Sequence, residues 1–70
     1  MKAGVRNRLT GKIVEIKQGD IMSEVVIQME DNLHIHITSV MTTDSLKEAG
    51  FKVGDNATAL IKAINVVLVK

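Results

Sequence analysis

The sequence predicts an all-β fold, a five-stranded barrel of the OB type with one short helix between its third and fourth strands. Three observations carry that expectation. Residues Ile21 to Glu30 alternate strictly, with Ile21, Ser23, Val25, Ile27 and Met29 on one side and Met22, Glu24, Val26, Gln28 and Glu30 on the other. Other short runs rich in Val and Ile are separated by Gly, Asn and Asp, the residues that turns require. Only between Thr42 and Gly50 does the period change.

Taken in order, the first strand is expected from Leu9 to Lys17, around Ile13, Val14 and Ile16, and closes at the turn Gln18-Gly19-Asp20. Gly11 inside it marks a bulge or a sharp bend, which a short strand needs if the sheet is to curl. The second strand is the alternating run. Asp31-Asn32 suits a tight hairpin turn, after which Leu33, Ile35 and Ile37 face inward and His34, His36 and Thr38 outward. Thr42 or Thr43 caps a short helix, Asp44 favours its first turn, and Gly50 fits the left-handed position past its end. Lys52-Val53-Gly54-Asp55 then turns the chain into a fourth strand from Ala57 to Ala63, and Asn65 separates it from a fifth, Val66 to Lys70. Leu60, Ile64, Val67 and Val69 add apolar side chains opposite Ala57, Ala59, Ile61 and Ala63, so both faces of these last strands are expected to be buried.

Seventy residues allow one domain, 1–70, and no second core. At this size a fold usually needs disulfides, a metal or self-association. There is no Cys, and His34 and His36 are the only nitrogen donors for a structural zinc, so oligomerisation is the expected remedy. Composition agrees, because 46% of the residues are hydrophobic although Phe51 is the only aromatic. A second buried face in so small a chain implies a subunit interface.

Nine Lys and Arg against eight Asp and Glu give a net charge of +1, which argues against a broad electrostatic grip on nucleic acid or a membrane surface. A nucleic-acid-binding OB module is the alternative fold-based reading, but it would stack bases on aromatic side chains that this chain lacks. No apolar stretch approaches a membrane span, and Met1 to Arg6 has no signal-type apolar run, so a cytoplasmic location is expected. Catalysis is not expected either. No Ser or Thr sits in a nucleophile motif, and the pair His34 and His36 on one strand face reads as a polar surface rather than a metal site.

The segment Gly4-Val5-Arg6-Asn7-Arg8-Leu9-Thr10-Gly11 places guanidinium groups and an amide beside small residues at a strand start. Taken alone, Arg6 and Arg8 read as solvated edge charges that discourage unwanted strand pairing. The wider pattern says more. Arg6-Asn7 followed by Leu9 and Gly11-Lys12-Ile13-Val14, then Ser23-Glu24-Val25-Val26, Ile37-Thr38-Ser39, Asp44-Ser45-Leu46, and Ala59-Leu60-Ile61-Lys62-Ala63 before Asn65-Val66, together resemble the molbindins. These are small molybdate-binding proteins whose fold also occurs as an accessory domain of molybdate transporter ATPases and regulators.

The resemblance covers nearly the whole chain and implies a molybdate or tungstate ligand held at subunit boundaries of a homohexamer, a trimer of dimers. It also implies that Arg6, Thr38, Lys62 and Ala63 surround the anion, with Gly4, Asn7 and Ser39 as further contributors. The chemistry is coherent. A tetrahedral dianion with its oxygens outward needs N–H and O–H donors and positive charge, not the Cys, His or carboxylate ligands of a cation. Arg6 and Lys62 supply charge and N–H groups, Thr38 a hydroxyl, and Ala63 a backbone N–H. Asn7 and Ser39 have equally good structural roles, as an amide stabilising a turn and a strand-end hydroxyl bonding its own backbone. Gly4 stands where the family commonly has Ser, and Ala63-Ile64 where it has a hydroxyl residue after the Lys-Ala pair, so two donors are missing. That leaves a third reading, a structural oligomerisation module with an unspecific anion site.

Overall fold

The computed structural model describes residues 5–70. Its elements are β1 (Val5–Gln18), β2 (Met22–Met29), β3 (His36–Thr42), α1 (Thr43–Ala49), β4 (Asn56–Lys62) and a 3-10 turn (Ala63–Asn65). The four strands form one antiparallel sheet in the order β3-β2-β1-β4.

The sheet curls because β1 serves two partners. Its first half, Val5 to Lys12, pairs with β4, and its second half, Gly11 to Gln18, pairs with β2. The ladders overlap at Gly11 and Lys12, and the pairing toward β4 is extended by Ile13 N–H donating to the Asp55 carbonyl at 2.8 Å. Gly11 is where the backbones crowd together: a Cβ there would lie 2.3 Å from the Gln28 carbonyl oxygen. The bulge expected at Gly11 falls instead at Val14, which is skipped between the pairs Ile13–Ile27 and Glu15–Val26. Gly11 thus permits a close approach, and Val14 takes up the extra residue.

Alternation on β2 comes out as expected from Ser23 onward, with Ser23, Val25, Ile27 and Met29 buried. Ile21 is not part of that face; it precedes the strand and is 77% exposed. The two-residue turn at Asp31-Asn32 is not formed. A type I′ turn needs positive φ at both central residues, and no described residue other than Gly has one. Instead the Asn32 side-chain oxygen accepts from the His34 N–H at 3.0 Å and its carbonyl from the Ile35 N–H at 3.0 Å, making a wider loop. The third strand therefore begins later than expected. Ile37 is half-buried, whereas Leu33 and Ile35 lie outside the core and are exposed.

The helix is capped as its sequence requires. Thr42 Oγ1 accepts from the Ser45 N–H at 3.1 Å, and Gly50 at φ 71 donates its N–H to the Leu46 and Lys47 carbonyls. The helix packs on β2 and β3 and sends Leu46 into the core. Thr43 fixes its start through a set of linked hydrogen bonds, one buried and two partly so. Its hydroxyl donates to the Gly19 carbonyl at 2.8 Å, so the Ser23 hydroxyl, 2.7 Å away, must donate to Thr43 and can accept from the Gly19 N–H.

The core is Ile13, Val25, Ile27, Met29 and Leu46, with Ile16, Ile37, Met41, Phe51, Ala57 and Ala59 packed around it. A turn with Gly54 at φ 98 and Asp55 Oδ2 accepting from the Lys52 N–H leads into β4, as expected, although β4 runs from Asn56 to Lys62 rather than from Ala57 to Ala63. A fifth strand is absent among the described residues. Ala63–Asn65 turns out of the ladder, and Val66 to Lys70 pairs with no strand among the described residues. The second face expected to be buried is open: Leu60 and Ile64 are exposed, and Val69 is 92% exposed.

Gly11→Ala is expected to destabilise the fold by about 1–3 kcal/mol, since the new methyl meets backbone rather than a movable side chain. Denaturant unfolding of the two proteins measures it.

Candidate oxyanion site

The cationic residues singled out by the sequence come together at the open end of the β1–β4 ribbon. Val5 pairs with Lys62 and Asn7 with Ile61, so Arg6 is an extra, bulged residue between two paired neighbours. A bulge removes its residue from the regular ladder and re-aims the side chain. Lys62 ends β4 and Ala63 opens the 3-10 turn, which puts Arg6, Asn7, Lys62 and Ala63 around one strand end. Arg6, Lys62 and Ala63 are exposed, and the one ion pair among the described residues, Lys17 with Glu24 at 3.8 Å, involves none of them.

Asn7 has a defined partner. Its Nδ2 donates to the Ile61 carbonyl at 3.2 Å, across the step where Arg6 interrupts the ladder. It braces the bulge, which is a structural task of the kind its sequence position allowed.

Thr38 and Ser39 are elsewhere in the fold. Both lie inside β3, opposite Val26 and Val25, rather than after a third strand or at its end. Since β3 and β4 are the two edges of the curled sheet, they face each other across an open cleft. Thr38 and Ser39 line it on one side, and Thr58, Leu60 and Ile61 on the other, over a floor that includes Ile13 and Ile27. Arg6, Lys62 and Ala63 do not line this cleft; Lys62 follows Ile61 at the end of β4, and no hydrogen bond among the described residues joins the hydroxyls to the cations. Gly4 lies outside the described residues.

The arrangement offers N–H and hydroxyl donors with positive charge and no described carboxylate in the ladder around Arg6 and Lys62. That is the donor set of an oxyanion site. Among the described residues there is no group of three or more His, Asp or Glu that could hold a metal cation, and no helix is long and apolar enough to cross a membrane. The bulge at Arg6 was not foreseen; nothing in Val5-Arg6-Asn7 signals it, because it depends on the register that β4 adopts 54 positions away.

Comparison with known proteins follows the same lines. Residues 4–68 match the TOBE domain. The chain is 40% identical over 68 residues to molybdenum-pterin-binding protein 1 of Clostridium pasteurianum, covering 97% of each. Its structure superposes on MopII of the same organism with a TM-score of 0.86 at 35% identity, covering 99% of this chain and 100% of that one. A molybdate-bound structure of the cytoplasmic molybdate-binding protein ModG gives a TM-score of 0.84 at 36% identity, over 96% of this chain and 46% of that protein.

Asn7→Ala is expected to lower the stability of the ligand-free protein by about 1 kcal/mol, the worth of one amide hydrogen bond. A ligand role alone would leave ligand-free stability unchanged, so thermal or denaturant unfolding without anion separates the two roles of Asn7.

Proposed function

The chain belongs to the TOBE domain family, and we propose that it binds molybdate, or the nearly isosteric tungstate, as a cytoplasmic store or buffer of the oxyanion rather than as a catalyst. The observation that carries this is the meeting of Arg6, Lys62 and the Ala63 backbone at one strand end, with Asn7 bracing the bulge that presents Arg6. The names of its relatives support the choice of anion.

In this reading Arg6 neutralises charge and directs two N–H donors at the oxygens, and Lys62 supplies a second charge. Ala63 gives its backbone N–H, Thr38 its hydroxyl, with Ser39 and Gly4 as minor contributors. Thr38 and Ser39 lie on β3 and Arg6 and Lys62 at the end of the β1–β4 ladder, with no hydrogen bond between the two groups among the described residues, so in this reading the site is completed between copies. We propose a homohexamer built as a trimer of dimers.

The open cleft supports that assembly. The β3 and β4 edges flank a gap wide enough to leave Ala57, Ala59 and Ile61 only half-buried, and Val66 to Lys70 of the same chain stands clear of every ladder. An extended apolar segment and a two-sided slot for a strand are complementary. Exchange of this segment between copies would supply the fifth strand of the barrel and cover both exposed surfaces.

Calorimetric titration with molybdate in excess sulfate tests the ligand. Arg6→Ala and Lys62→Ala are each expected to weaken binding about 10- to 100-fold, the range for hydrogen bonds to a charged group; equal affinity for sulfate and molybdate would favour the unspecific anion module instead. Removing residues 66–70 is expected to yield monomers by native mass spectrometry, with molybdate binding lost alongside. A truncated chain that still assembles would defeat the exchange.

A further inference from the structure

The residues gathered at the end of the β1–β4 ladder have an unbalanced hydrogen-bonding inventory. The side chains of Arg6 and Lys62 can only donate, as can the Ala63 backbone N–H. Neither strand of that ladder, Val5 to Lys12 or Asn56 to Lys62, contains an Asp or Glu. The neighbouring carbonyls have partners of their own: that of Ile61 accepts from Asn7 Nδ2 at 3.2 Å, and that of Ala63 from the Val66 N–H at 3.2 Å. Next to Ala63 in the 3-10 turn comes Ile64, 87% exposed, whose side chain can neither donate nor accept.

We propose that Ile64 is a specificity-determining residue, which makes this site a filter for oxyanions that carry no proton. The inference rests on the oxyanion site proposed above. Tetrahedral anions are of two kinds near neutral pH. Molybdate, tungstate, sulfate and selenate present bare oxygens on every side, and each oxygen accepts. Phosphate and arsenate keep a proton on at least one oxygen, and that hydroxyl needs an acceptor of its own. Among donors only, and in a site closed off from water by a second copy, the retained proton goes unpaired.

A hydroxyl side chain at position 64 would relieve this, because Ser and Thr can accept as well as donate. Isoleucine withholds the acceptor from the residue adjoining the Ala63 N–H. The remaining candidates are placed less well. Asn7 Oδ1 belongs to an amide tied through its nitrogen to Ile61, the Thr38 and Ser39 hydroxyls stand on β3, and the Asn65 amide comes only after Ile64 in the turn. Thr10 and Thr58 are further along the ladder, with their hydroxyls 3.2 Å apart and engaged with each other.

Selenate and hydrogen arsenate test the filter, since in mildly alkaline buffer both are tetrahedral dianions of nearly equal size and only arsenate carries a proton. Displacement of molybdate from the full chain, followed by calorimetry, is expected to show selenate binding about 10- to 100-fold more tightly than arsenate, the range for one buried polar group left unpaired. Ile64→Thr, which nearly keeps the shape, and Ile64→Ser are each expected to narrow that ratio about tenfold by a gain in arsenate affinity. Wild-type protein that takes both anions equally, or variants that leave the ratio unmoved, even while gaining both anions alike, overturn the filter and leave molybdate binding standing. Failure of both anions to displace molybdate also overturns it, because size alone would then select. A wild-type chain that binds no molybdate overturns the site, and the filter with it. Should either variant fail to fold, the other and the wild-type ratio decide.

Discussion

The approach of two backbones at Gly11 is the constraint on which the rest of this structure depends. With no side chain at that point, β1 lies hard against Gln28 of β2 while still bonded to β4 on its other side. One strand can then divide its length between two neighbours, and the sheet bends at the division instead of extending flat. From that bend follow the shared interior for Ile13, Val25 and Ile27, and the facing of the two sheet edges across a cleft. Lys62 opposite Val5, with Arg6 bulged beside it, is the far end of the same β1–β4 ladder.

Stability and binding therefore draw on one set of features. Among the described residues five apolar side chains are buried, few for a chain of this apolar content, and part of the surplus is gathered in the exposed tail from Ile64 to Val69. In the proposed assembly that surplus is covered by other copies, and the same contacts close the ring of donors around the anion. A dianion in water gains little from scattered surface cations, since solvent and salt screen them. Excluding water from Arg6 and Lys62 by a neighbouring subunit is what would make their hydrogen bonds strong.

The sequence carried the fold class and most of the elements because the signals are local. Period-two alternation settled β2 from Ser23 onward, and the threonine pair at 42 and 43, of which Thr42 is the cap, together with Gly50 bracketed α1. The failures share a cause. Asp31-Asn32 looked like a tight turn by composition, but the backbone avoids positive φ there and Asn32 makes a side-chain turn instead. Val66 to Lys70 has the composition of a strand but joins no ladder among the described residues, following the 3-10 turn that ends β4. The cationic part of the candidate site was legible as residue types in Arg6, Lys62 and Ala63; their convergence, and the separation of Thr38 and Ser39 onto the opposite edge, came only from the register of distant strands.

Because β1 divides its pairing, its two ladders close loops of very different size. The turn into β2 is spanned by the contact of Gly19 with Ser23, only 4 positions apart, whereas Asn7 reaches Ile61 across 54. Joining distant segments costs more chain entropy than joining adjacent ones and slows the step that does so. The meander of the first three strands is thus the natural nucleus, and zipping of β1 to β4 the late event. The cations meet only in that last step, so a half-folded chain has nothing with which to grip its ligand.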